Sequence, residues 1–309
     1  MTNKIIALQG DKLNKLNPVT DTSIFLASRG LKFGYKIFYY DPKNLSIVND
    51  KVVAKGNYIQ IDYLNRKFYK ILKSTYLDLS KVKFILIRQD PPFNLEYIST
   101  THILDNIKNK VKIINNPTSI RNISEKLYSA KFSKFMPDTI FTKDLSEISK
   151  FFKKYKKIVL KPIHGYSGND IIFIKNKIHQ NIVKKFIKKH GHIMCQKFLP
   201  KIKFGDKRVF IINGKICGAI SRVPKKGSIL SNLSKGAKPK LIKLTPKEKS
   251  ISKIVAKDLT KNKIYFAGID FIDQKLNGDI NVTSPTGLKT YFDLSKIDLA
   301  NVFWKGLKA

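Results

Sequence analysis

Cysteine is nearly absent from this chain of 309 residues, which contains only Cys195 and Cys217. Neither cysteine stands in a C-x-x-C pair or in the spacing of a metal-binding cluster, so the sequence excludes a zinc site built on cysteines and a framework of several disulfides. We therefore predict that both are reduced thiols in the protein core. A single disulfide between them is the alternative that the sequence leaves open.

Long apolar stretches are missing as well. No apolar run approaches the roughly 18 residues that a membrane-spanning helix requires. Residues 1–10 lack the apolar core and the small-residue cleavage site of a secretory signal. The apolar and charged fractions, 42% and 27%, are typical of a soluble globular protein. The sequence thus predicts a cytoplasmic protein without a membrane partner, long enough for two or three compact units.

Acidic residues are few: 22 of them stand against 60 basic residues, which gives a formal charge of +38. Such a charge suggests nucleic-acid binding, because basic surfaces bind phosphate backbones. Arginine, which reads bases and grips phosphates with two donors, accounts for only six of the basic residues. The lysines are spread over every segment, so we interpret them as solvated surface charge. We predict no specific nucleic-acid partner, only weak, salt-sensitive binding to polyanions.

Strands and helices alternate in the first third of the chain. Hydrophobic periodicity and turn residues predict strands at 4–8, 35–40, 82–88 and 111–115, helices at 22–33 and 94–109, and a hairpin at 46–54. The hairpin turns at Asn49-Asp50. Such alternation predicts a parallel sheet covered by helices on both faces. Ligands bind at the carboxyl ends of the strands in such sheets, where Asp11, Arg88, Gln89 and Asp90 fall.

Two α+β units follow. The second unit is predicted to contain helices at 120–135, 144–154 and 181–190 and strands at 139–141, 158–161 and 171–175. The third is predicted to contain a strand at 193–198, hairpins at 207–221 and 265–281, a polar loop at 224–239, a helix at 246–261 and a terminal helix from 297. The first of these hairpins turns at Asn213-Gly214. We place the domain boundaries at 1–119, 120–192 and 193–309.

Three oxygen-bearing side chains fall in the second of these hairpins. Asp270 interrupts an apolar, strand-like run, where a lone carboxylate needs a cation or a hydrogen-bonding partner. Asp279 and Asn281 are two residues apart on the next strand, so their side chains point to one face. Mg²⁺ takes one or two carboxylates and completes its shell with water and phosphate, which suits this sparse set. Taken alone, the pattern is more typical of a hairpin with a polar, solvent-facing side.

A predicted strand that ends in Lys161 runs directly into a loop with two glycines, His164-Gly165-Tyr166-Ser167-Gly168. Glycines let backbone N–H groups approach phosphate oxygens, and the lysine adds a positive charge. Lys126 is a second candidate phosphate-binding lysine. The spacing of a Walker loop is absent, and two glycines after a strand alone indicate a plain turn more often than a phosphate site.

Further candidates follow along the chain. The extended segment Gln196-Lys197-Phe198-Leu199 offers backbone groups to the edge of an adenine, and Asp206 offers a carboxylate to ribose hydroxyl groups. Arg208 and Arg222, two of the rare arginines, fall on predicted strands, and forked guanidinium groups suit a transferring phosphoryl group. No credible protein nucleophile is present, so positioning and charge neutralisation would carry the chemistry.

The order of these features resembles that of the ATP-grasp superfamily, and several longer motifs resemble the prokaryotic glutathione synthetase family. The resemblance extends in order from Asp11 to Gly287. Each motif is weak alone, but the ordered set is specific, above all its first and last members. The motifs are I-R-Q-D-P-P-F at 87–93, N-P-x-S at 116–119, S-E-K-L at 124–127, G-D-K-R-V at 205–209, S-R-V-P at 221–224 and N-V-T-S-P-T at 281–286.

The resemblance implies the ATP-grasp fold, in which an N-terminal parallel-sheet domain is followed by two α+β subdomains that enclose the nucleotide. It implies ATP-dependent ligation of γ-glutamylcysteine to glycine through an acyl phosphate, with Mg²⁺, or Mn²⁺ in its place, as the metal. It also implies a homotetramer.

The resemblance further implies a role for each candidate residue. Lys126, Lys161 and the loop 164–168 would grip the phosphates of ATP. The segment 196–199 would face the adenine, and Asp206 the ribose. The remaining assignments are Mg²⁺ binding by Asp270, Asp279 and Asn281, stabilisation of the phosphoryl and acyl-phosphate charge by Arg208 and Arg222, and binding of the peptide substrates by Arg88, Ser284, Pro285 and Thr286.

Four positions depart from the family pattern. Gln89 replaces a lysine, Ser167 a glycine of the phosphate loop, Asp279 a glutamate, and Leu230 an arginine of the loop after residue 224. We expect the first change to remove a substrate-side charge, the second to make the loop close less freely over phosphate, and the third to retain Mg²⁺ with an altered geometry. The last should weaken the exclusion of water from the acyl phosphate. The departures motivate two alternatives: a related ligase with a different amino-acid acceptor, or a nucleotide-binding protein without turnover.

Overall fold

The protein is described by a computed structural model over residues 4–63 and 67–308, in which the chain folds around three β-sheets. The helices of these residues are α1 (Thr22–Lys32), α2 (Leu95–Asp105), α3 (Pro117–Asn122), α4 (Leu145–Tyr155), α5 (Gln180–His190), α6 (Pro246–Lys261), α7 (Leu288–Ser295) and α8 (Leu299–Lys308). None of these helices is long and apolar enough to span a membrane.

The strands of the first sheet are β1 (Ile5–Gln9), β2 (Lys36–Tyr40), β3 (Leu45–Val48), β4 (Lys51–Ile61), β5 (Tyr69–Asp78), β6 (Phe84–Ile87) and β7 (Lys112–Ile114). Those of the second are β8 (Thr139–Thr142), β9 (Lys157–Pro162), β10 (Ile172–Lys175) and β11 (Ile193–Lys197). Those of the third are β12 (Asp206–Ile212), β13 (Lys215–Val223), β14 (Lys238–Leu241), β15 (Phe266–Ile272) and β16 (Lys275–Asn281).

The first sheet places four parallel strands side by side in the order β2-β1-β6-β7, which confirms the predicted parallel sheet. Strands β3, β4 and β5 extend it with antiparallel pairing. The predicted turn joins β3 to β4, and Asn49 and Asp50 adopt left-handed φ values of 47° and 61°. The sequence does not predict β5, because most of its side chains are exposed and no hydrophobic alternation marks it.

The second sheet is antiparallel, with the strand order β10-β9-β11-β8. Helices α4 and α5 contribute Ile148, Phe152, Val183 and Phe186 to a small core beside this sheet. Strand β11 pairs with both β8 and β9 and buries apolar side chains in the same core. The sheet therefore extends through β11, beyond the boundary that the sequence suggests after residue 192.

The third sheet is antiparallel, with the strand order β14-β13-β12-β15-β16. The predicted hairpin turn at Asn213-Gly214 joins β12 to β13 and is confirmed by positive φ values of 49° and 71°. Helix α6 has the predicted bounds, because Thr245 and Glu248 close its first turn in a reciprocal capping box.

The predicted helix at 120–135 is wrong. Helix α3 ends at Asn122, and a 3₁₀ segment, Leu127–Phe135, follows after a break. The break lets Glu125 reach the third sheet, where its carboxylate accepts a hydrogen bond from the Val282 N–H at 2.8 Å. Tertiary hydrogen bonds of this kind outweigh helical propensity, which is a weak determinant of structure.

The first and third units share one hydrophobic core. Trp304 of α8 is fully buried in it, and its indole N–H donates to a carbonyl of α1 at 2.9 Å. Asn115, which follows β7, donates to the carbonyls of Phe266 and Val282 at 2.7 Å each and accepts from the N–H of Phe266 at 2.9 Å. These bonds hold the strands with the predicted metal ligands against the carboxyl edge of the first sheet.

Both cysteines are free thiols, which confirms the predicted reduced state and excludes the disulfide. Cys195 is fully buried, and burial raises its pKa to about 12, whereas Cys217 is partly exposed. Because the thiolate is the reactive form, we expect the native protein to react at Cys217 only, and at Cys195 only after unfolding. Titration with a chromogenic disulfide reagent, with and without urea, measures this, and modification of native Cys217→Ser protein would contradict it.

Candidate active site

A cleft of about 650 Å³ opens where the three sheets meet. Its volume is typical of a small-molecule site. Most of the predicted site residues line it: Lys126, Lys161, Gly165, Tyr166, Ser167, Gly168, Gln196, Lys197, Phe198, Leu199, Asp206, Arg208, Arg222, Asp270, Asp279, Asn281, Ser284 and Thr286. His164, Arg88 and Pro285 lie outside its wall and are described below.

One face of the third sheet carries four buried charges. The strand register pairs Arg208 with Asp270 and Asp206 with Arg222. Arg208 donates to both oxygens of Asp270, from Nε at 2.8 Å and from Nη2 at 2.7 Å, and Arg222 adds a bond to Asp270 at 3.0 Å. The four residues are at most 7% exposed. Buried charges are tolerated only when they are paired and hydrogen-bonded, so each of these residues holds its neighbours in place.

The two carboxylates of this face differ electrostatically. Burial alone would raise the pKa of Asp270, but the guanidinium groups of Arg208 and Arg222 outweigh it and hold that pKa well below the ordinary range. Burial prevails at Asp206 and raises its pKa, although Arg222 opposes the effect. Both oxygens of Asp206 accept hydrogen bonds from Arg222. Asp206 therefore orients Arg222 in this structure, and its contact with a ribose stays a prediction.

The two predicted phosphate-binding lysines converge on one carboxylate. Lys126 Nζ lies 3.4 Å from one oxygen of Asp279, and Lys161 Nζ lies 3.9 Å from the other. Lys161 also donates to Gln196 Oε1 at 3.1 Å and to two oxygens of Asn277 at 2.9 Å. Burial lowers the pKa of Lys161, and the charge of Asp279 opposes this shift. Two buried ammonium groups around one carboxylate leave a net positive charge, which suits nucleotide phosphates.

The three predicted metal ligands lie on one face of the β15–β16 hairpin. Asn281 stands opposite Gly268 in the register, so it and Asp279 share the face of Asp270. Asn281 Nδ2 lies 3.4 Å from Asp270, and the Asp279 side chain is 24% exposed. Asp279 is the more available carboxylate, because Asp270 already accepts hydrogen bonds from two arginines.

The chemistry of this donor set selects among metals. The described residues contain no group of three or more His, Cys, Asp or Glu side chains that could hold a metal. The set therefore fits an ion that brings most of its own ligands, as Mg²⁺ does with nucleotide phosphates. It does not fit an ion held wholly by protein side chains.

Sequence reasoning misses Asn277 and Glu125. Asn277, Asp279 and Asn281 are every second residue of β16, so their side chains point to the same face of the sheet. The alternation that identifies Asp279 and Asn281 could therefore have identified Asn277 too. Glu125 lies in one of the quoted motifs and lines the cleft. No local signal marks its role, because its hydrogen-bond partners lie more than 150 residues further along the chain.

Two loops meet beside the cleft. Ser167 and Gly168 of the glycine loop have left-handed φ values of 53° and 70°. A Cβ atom on Gly168 would stand 2.5 Å from Asn232 Oδ1 and 3.4 Å from Leu230 Cδ2. The loop after residue 224 therefore lies against the glycine loop, with Asn232 nearest to Gly168 and Leu230, where the family pattern has an arginine, beside it. Ser167 adopts its conformation at a cost of about 1 kcal/mol relative to glycine, and its effect on loop closure stays a prediction.

Replacing Gly168 by alanine should separate these loops. The new methyl group would overlap Asn232 Oδ1, so we expect the KM for ATP to rise about tenfold, equivalent to about 1.4 kcal/mol of binding. Gly34→Ala is the matched control, because Gly34 has a similar φ of 79° with nothing near its Cβ position. Initial rates and thermal melts of both variants measure the effect. Equal KM values in the two variants would contradict the loop contact.

The segment 196–199 enters the cleft at the end of β11. Phe198 packs on Phe173 with ring centroids 4.2 Å apart, which provides an apolar wall. The N–H groups of Lys197 and Phe198 already donate to neighbouring backbone carbonyls at 2.9 and 3.0 Å. Two of the backbone donors predicted to face adenine are therefore in use, and contact with a base would fall to Leu199 and to carbonyl oxygens.

Arg88 lies behind the cleft wall. It is 5% exposed and donates to Ser23 Oγ at 3.1 Å and to the Pro285 carbonyl at 2.9 Å. The Ser284 hydroxyl donates back to the Arg88 carbonyl at 3.2 Å. Arg88 thus shapes the turn at Ser284–Thr286, and two members of that turn, Ser284 and Thr286, face the cleft.

The expectation that Gln89 removes a substrate-side charge is wrong. Gln89 is 5% exposed, and its side-chain oxygen accepts from Gln9 at 2.5 Å within the first unit. His164 lies beside the main cleft, where it stacks on Phe93 with ring centroids 6.2 Å apart and lines a cavity of about 20 Å³. Burial, reinforced by the charge of Lys126, lowers the pKa of His164. The lowered pKa favours the neutral form of His164, in which the imidazole carries no positive charge.

Comparison with known proteins assigns the family. Residues 5–121 match the N-terminal domain of prokaryotic glutathione synthetase, and residues 125–295 match its ATP-grasp domain. The chain belongs to the prokaryotic glutathione synthetase family. The glutathione synthetase of Mesorhizobium japonicum is 33% identical over 98% of this chain and 97% of its own length. That of Escherichia coli is 31% identical over 90% of each chain.

Solved structures agree at the level of the fold. D-cycloserine synthetase superimposes with a TM-score of 0.66 at 12% identity and covers 98% of this chain and 99% of its own. D-alanyl-alanine synthetase A from Vibrio cholerae gives 0.62 at 13% identity over 100% and 98%. These neighbours confirm the predicted ATP-grasp fold. The family match and the glutathione synthetase relatives show that this family member is an ATP-dependent ligase.

Proposed function

We propose that the protein is a glutathione synthetase, which joins the cysteinyl carboxylate of γ-glutamylcysteine to the amine of glycine and converts ATP to ADP and phosphate. One observation carries the proposal: in the main cleft, Lys126 and Lys161 converge on Asp279. The buried Arg208 and Arg222 lie beside them, and the chain is a member of the family. Such a site neutralises a triphosphate and the charge that develops during phosphoryl transfer.

The lysines and the glycine loop hold the triphosphate in this proposal. Lys126 and Lys161 are 6% and 5% exposed, so their charges act in a site with little water, where electrostatic interactions are strong. Asp279, Asp270 and Asn281 would hold Mg²⁺, which neutralises phosphate charge when it is bound. The segment 196–199 would receive the adenine.

The arginines face the reacting groups. The substrate carboxylate attacks the γ-phosphorus of ATP, ADP leaves, and the acyl phosphate carries the transferred charge next to Arg208 and Arg222. Their fixed pairing with Asp206 and Asp270 means that little reorganisation is needed during the reaction. The glycine amine then attacks the acyl carbon, the C–O bond to phosphate breaks, and phosphate leaves with that electron pair. Arg88 and the turn Ser284–Thr286 would position the dipeptide.

A phosphate-release assay with single omissions tests the proposal. We expect release that requires ATP, Mg²⁺, γ-glutamylcysteine and glycine together, with glutathione identified by mass spectrometry. Phosphate release that is unchanged without the dipeptide would refute it. Because Leu230 replaces a family arginine at the cleft, the same assay with other amino acids tests the second candidate, a ligase with another acceptor, which a clear preference over glycine would establish.

The quaternary state and location complete the proposal. A homotetramer follows from the family resemblance and is tested by size-exclusion chromatography with light scattering. A cytoplasmic location is tested by fractionation of cells that express the protein. Filter binding at physiological salt tests the expectation that the charge of +38 confers no specific nucleic-acid affinity.

A further inference from the structure

Six carboxylate residues line the cleft, and most of them are engaged. Asp206, Asp270 and Asp279 are paired with arginine or lysine side chains. The others are Asp21, which caps α1 through a bond from the Ile24 N–H at 2.7 Å, Asp90 and Glu125. A carboxylate that faces substrate without a cationic partner is free to accept a proton. Asp90 and Glu125 are therefore the candidates for a catalytic role.

Glu125 is held by one of its two oxygens. Oε1 accepts from the Val282 N–H at 2.8 Å, from the Thr283 N–H at 3.0 Å and from the Thr283 hydroxyl at 2.9 Å. Three donors on one oxygen fix the orientation of the carboxyl plane. Val282 and Thr283 directly follow Asn281, and Lys126 directly follows Glu125, so Glu125 stands between the predicted metal ligands and a phosphate-binding lysine.

The other oxygen of Glu125 is uncommitted. Within residues 4–63 and 67–308, Oε2 has no hydrogen-bond donor, and no basic group lies within 4.0 Å of the carboxylate. Glu125 lines both the main cleft and the adjoining cavity of about 20 Å³. That cavity has room for about one water molecule, so an amino acid can approach Glu125 only from the main cleft.

The proposed reaction requires such a group. Glycine arrives as an ammonium ion, which has no lone pair, and must lose a proton before its nitrogen can attack the acyl phosphate. Resting on the proposed function, the geometry points to Glu125 Oε2 as the catalytic base that receives the ammonium group of the acceptor amino acid and takes its proton. The neighbouring charges favour this role. The lysines attract the phosphate groups, and the carboxylate of Glu125 attracts the ammonium group of the amino acid to an adjacent position in the cleft.

Every proton and electron pair in the formation of the amide bond can be followed. Glu125 takes one proton from the ammonium group, and the freed lone pair forms the new C–N bond. The C–O bond to phosphate breaks, and phosphate leaves with its electron pair. The second proton of the nitrogen passes to the departing phosphate, and Glu125 returns its proton to solvent after product release.

Glu125→Gln isolates the free oxygen, because the amide oxygen can still accept the three bonds from residues 282–283. We expect kcat/KM for glycine to fall about 100-fold, within the range of general-base contributions. The KM values for ATP and dipeptide should stay within about threefold and the melting temperature should be retained. Raising the pH from about 7.5 to about 9.5 should restore much of the activity of the variant, because more glycine then arrives unprotonated.

Asp90→Asn is the comparison variant, since Asp90 also lines the cleft. Glycine kinetics like those of the wild type in Glu125→Gln protein would overturn the inference. So would a loss shared equally by all three substrates without recovery at high pH, which indicates a structural role. A glycine-specific loss in Asp90→Asn protein alone would overturn it in favour of Asp90. Wild-type protein that forms no glutathione refutes the proposed function itself, so the two failures are distinguishable.

Discussion

Asp279→Ala protein should turn over on the order of 1000-fold more slowly than the wild type, while it still folds and its free energy of unfolding falls by roughly 1–3 kcal/mol. Asp279 is the accessible member of the predicted metal set and lies between Lys126 and Lys161. Its loss removes a metal ligand and leaves two ammonium groups without the carboxylate that spaces them. The side chain is 24% exposed, so little core packing is lost.

Initial rates with saturating substrates and urea denaturation measure the two quantities. Asp293→Ala is the matched control, because Asp293 forms an exposed ion pair with Lys289 on α7, outside the cleft. Surface pairs of this kind contribute about 1 kcal/mol or less, so the control should retain full activity. Activity retained in Asp279→Ala protein would show that the metal site lies elsewhere.

Asp270→Asn protein should lose both activity and stability. Asp270 is 3% exposed and pairs with Arg208 and Arg222. The amide keeps the shape of the side chain but removes its charge, which leaves the Arg208 guanidinium buried without a carboxylate. Removal of one partner from a buried pair costs about 3–5 kcal/mol, a large part of the 5–15 kcal/mol that stabilises a typical domain.

Urea denaturation followed by circular dichroism measures the loss. The double variant Arg208→Met/Asp270→Leu is the control, because replacing both members of a buried pair by apolar residues restores much of the stability. The double variant should therefore be more stable than Asp270→Asn and remain inactive. A single variant as stable as the wild type would mean that water reaches these charges in the folded protein.

The pH dependence of stability provides a second measure of the same cluster. The pKa of Asp270 is lowered on folding, so its contribution is fully present above the ordinary value of about 3.9 and is lost as the pH falls through the lowered value. Between about pH 5 and about pH 2, the free energy of unfolding should fall more steeply for the wild type than for Asp270→Asn, which lacks this carboxylate.

Local patterns determined much of the secondary structure. Two hairpin turns, Asn49-Asp50 and Asn213-Gly214, occur where the sequence places them, because these residues tolerate positive φ. Helix α6 has the predicted bounds, since its capping box and its periodicity are both local. Strand alternation likewise predicted that Asp279 and Asn281 share one face, and the register places Asp270 on that face as well. Each of these features depends on residues that are close together in the sequence.

Tertiary structure decided the rest. The break after Asn122, the inward side chain of Gln89 and the anchoring of Glu125 all depend on partners that are distant in sequence. The pairing of Asp206 and Asp270 with the two arginines follows from the register of separate strands, which composition and spacing do not encode. The sequence alone thus determined the family and the inventory of charged groups. Burial decided which charges neutralise one another and which carboxylate stays free, because desolvation makes each buried charge depend on its nearest partner.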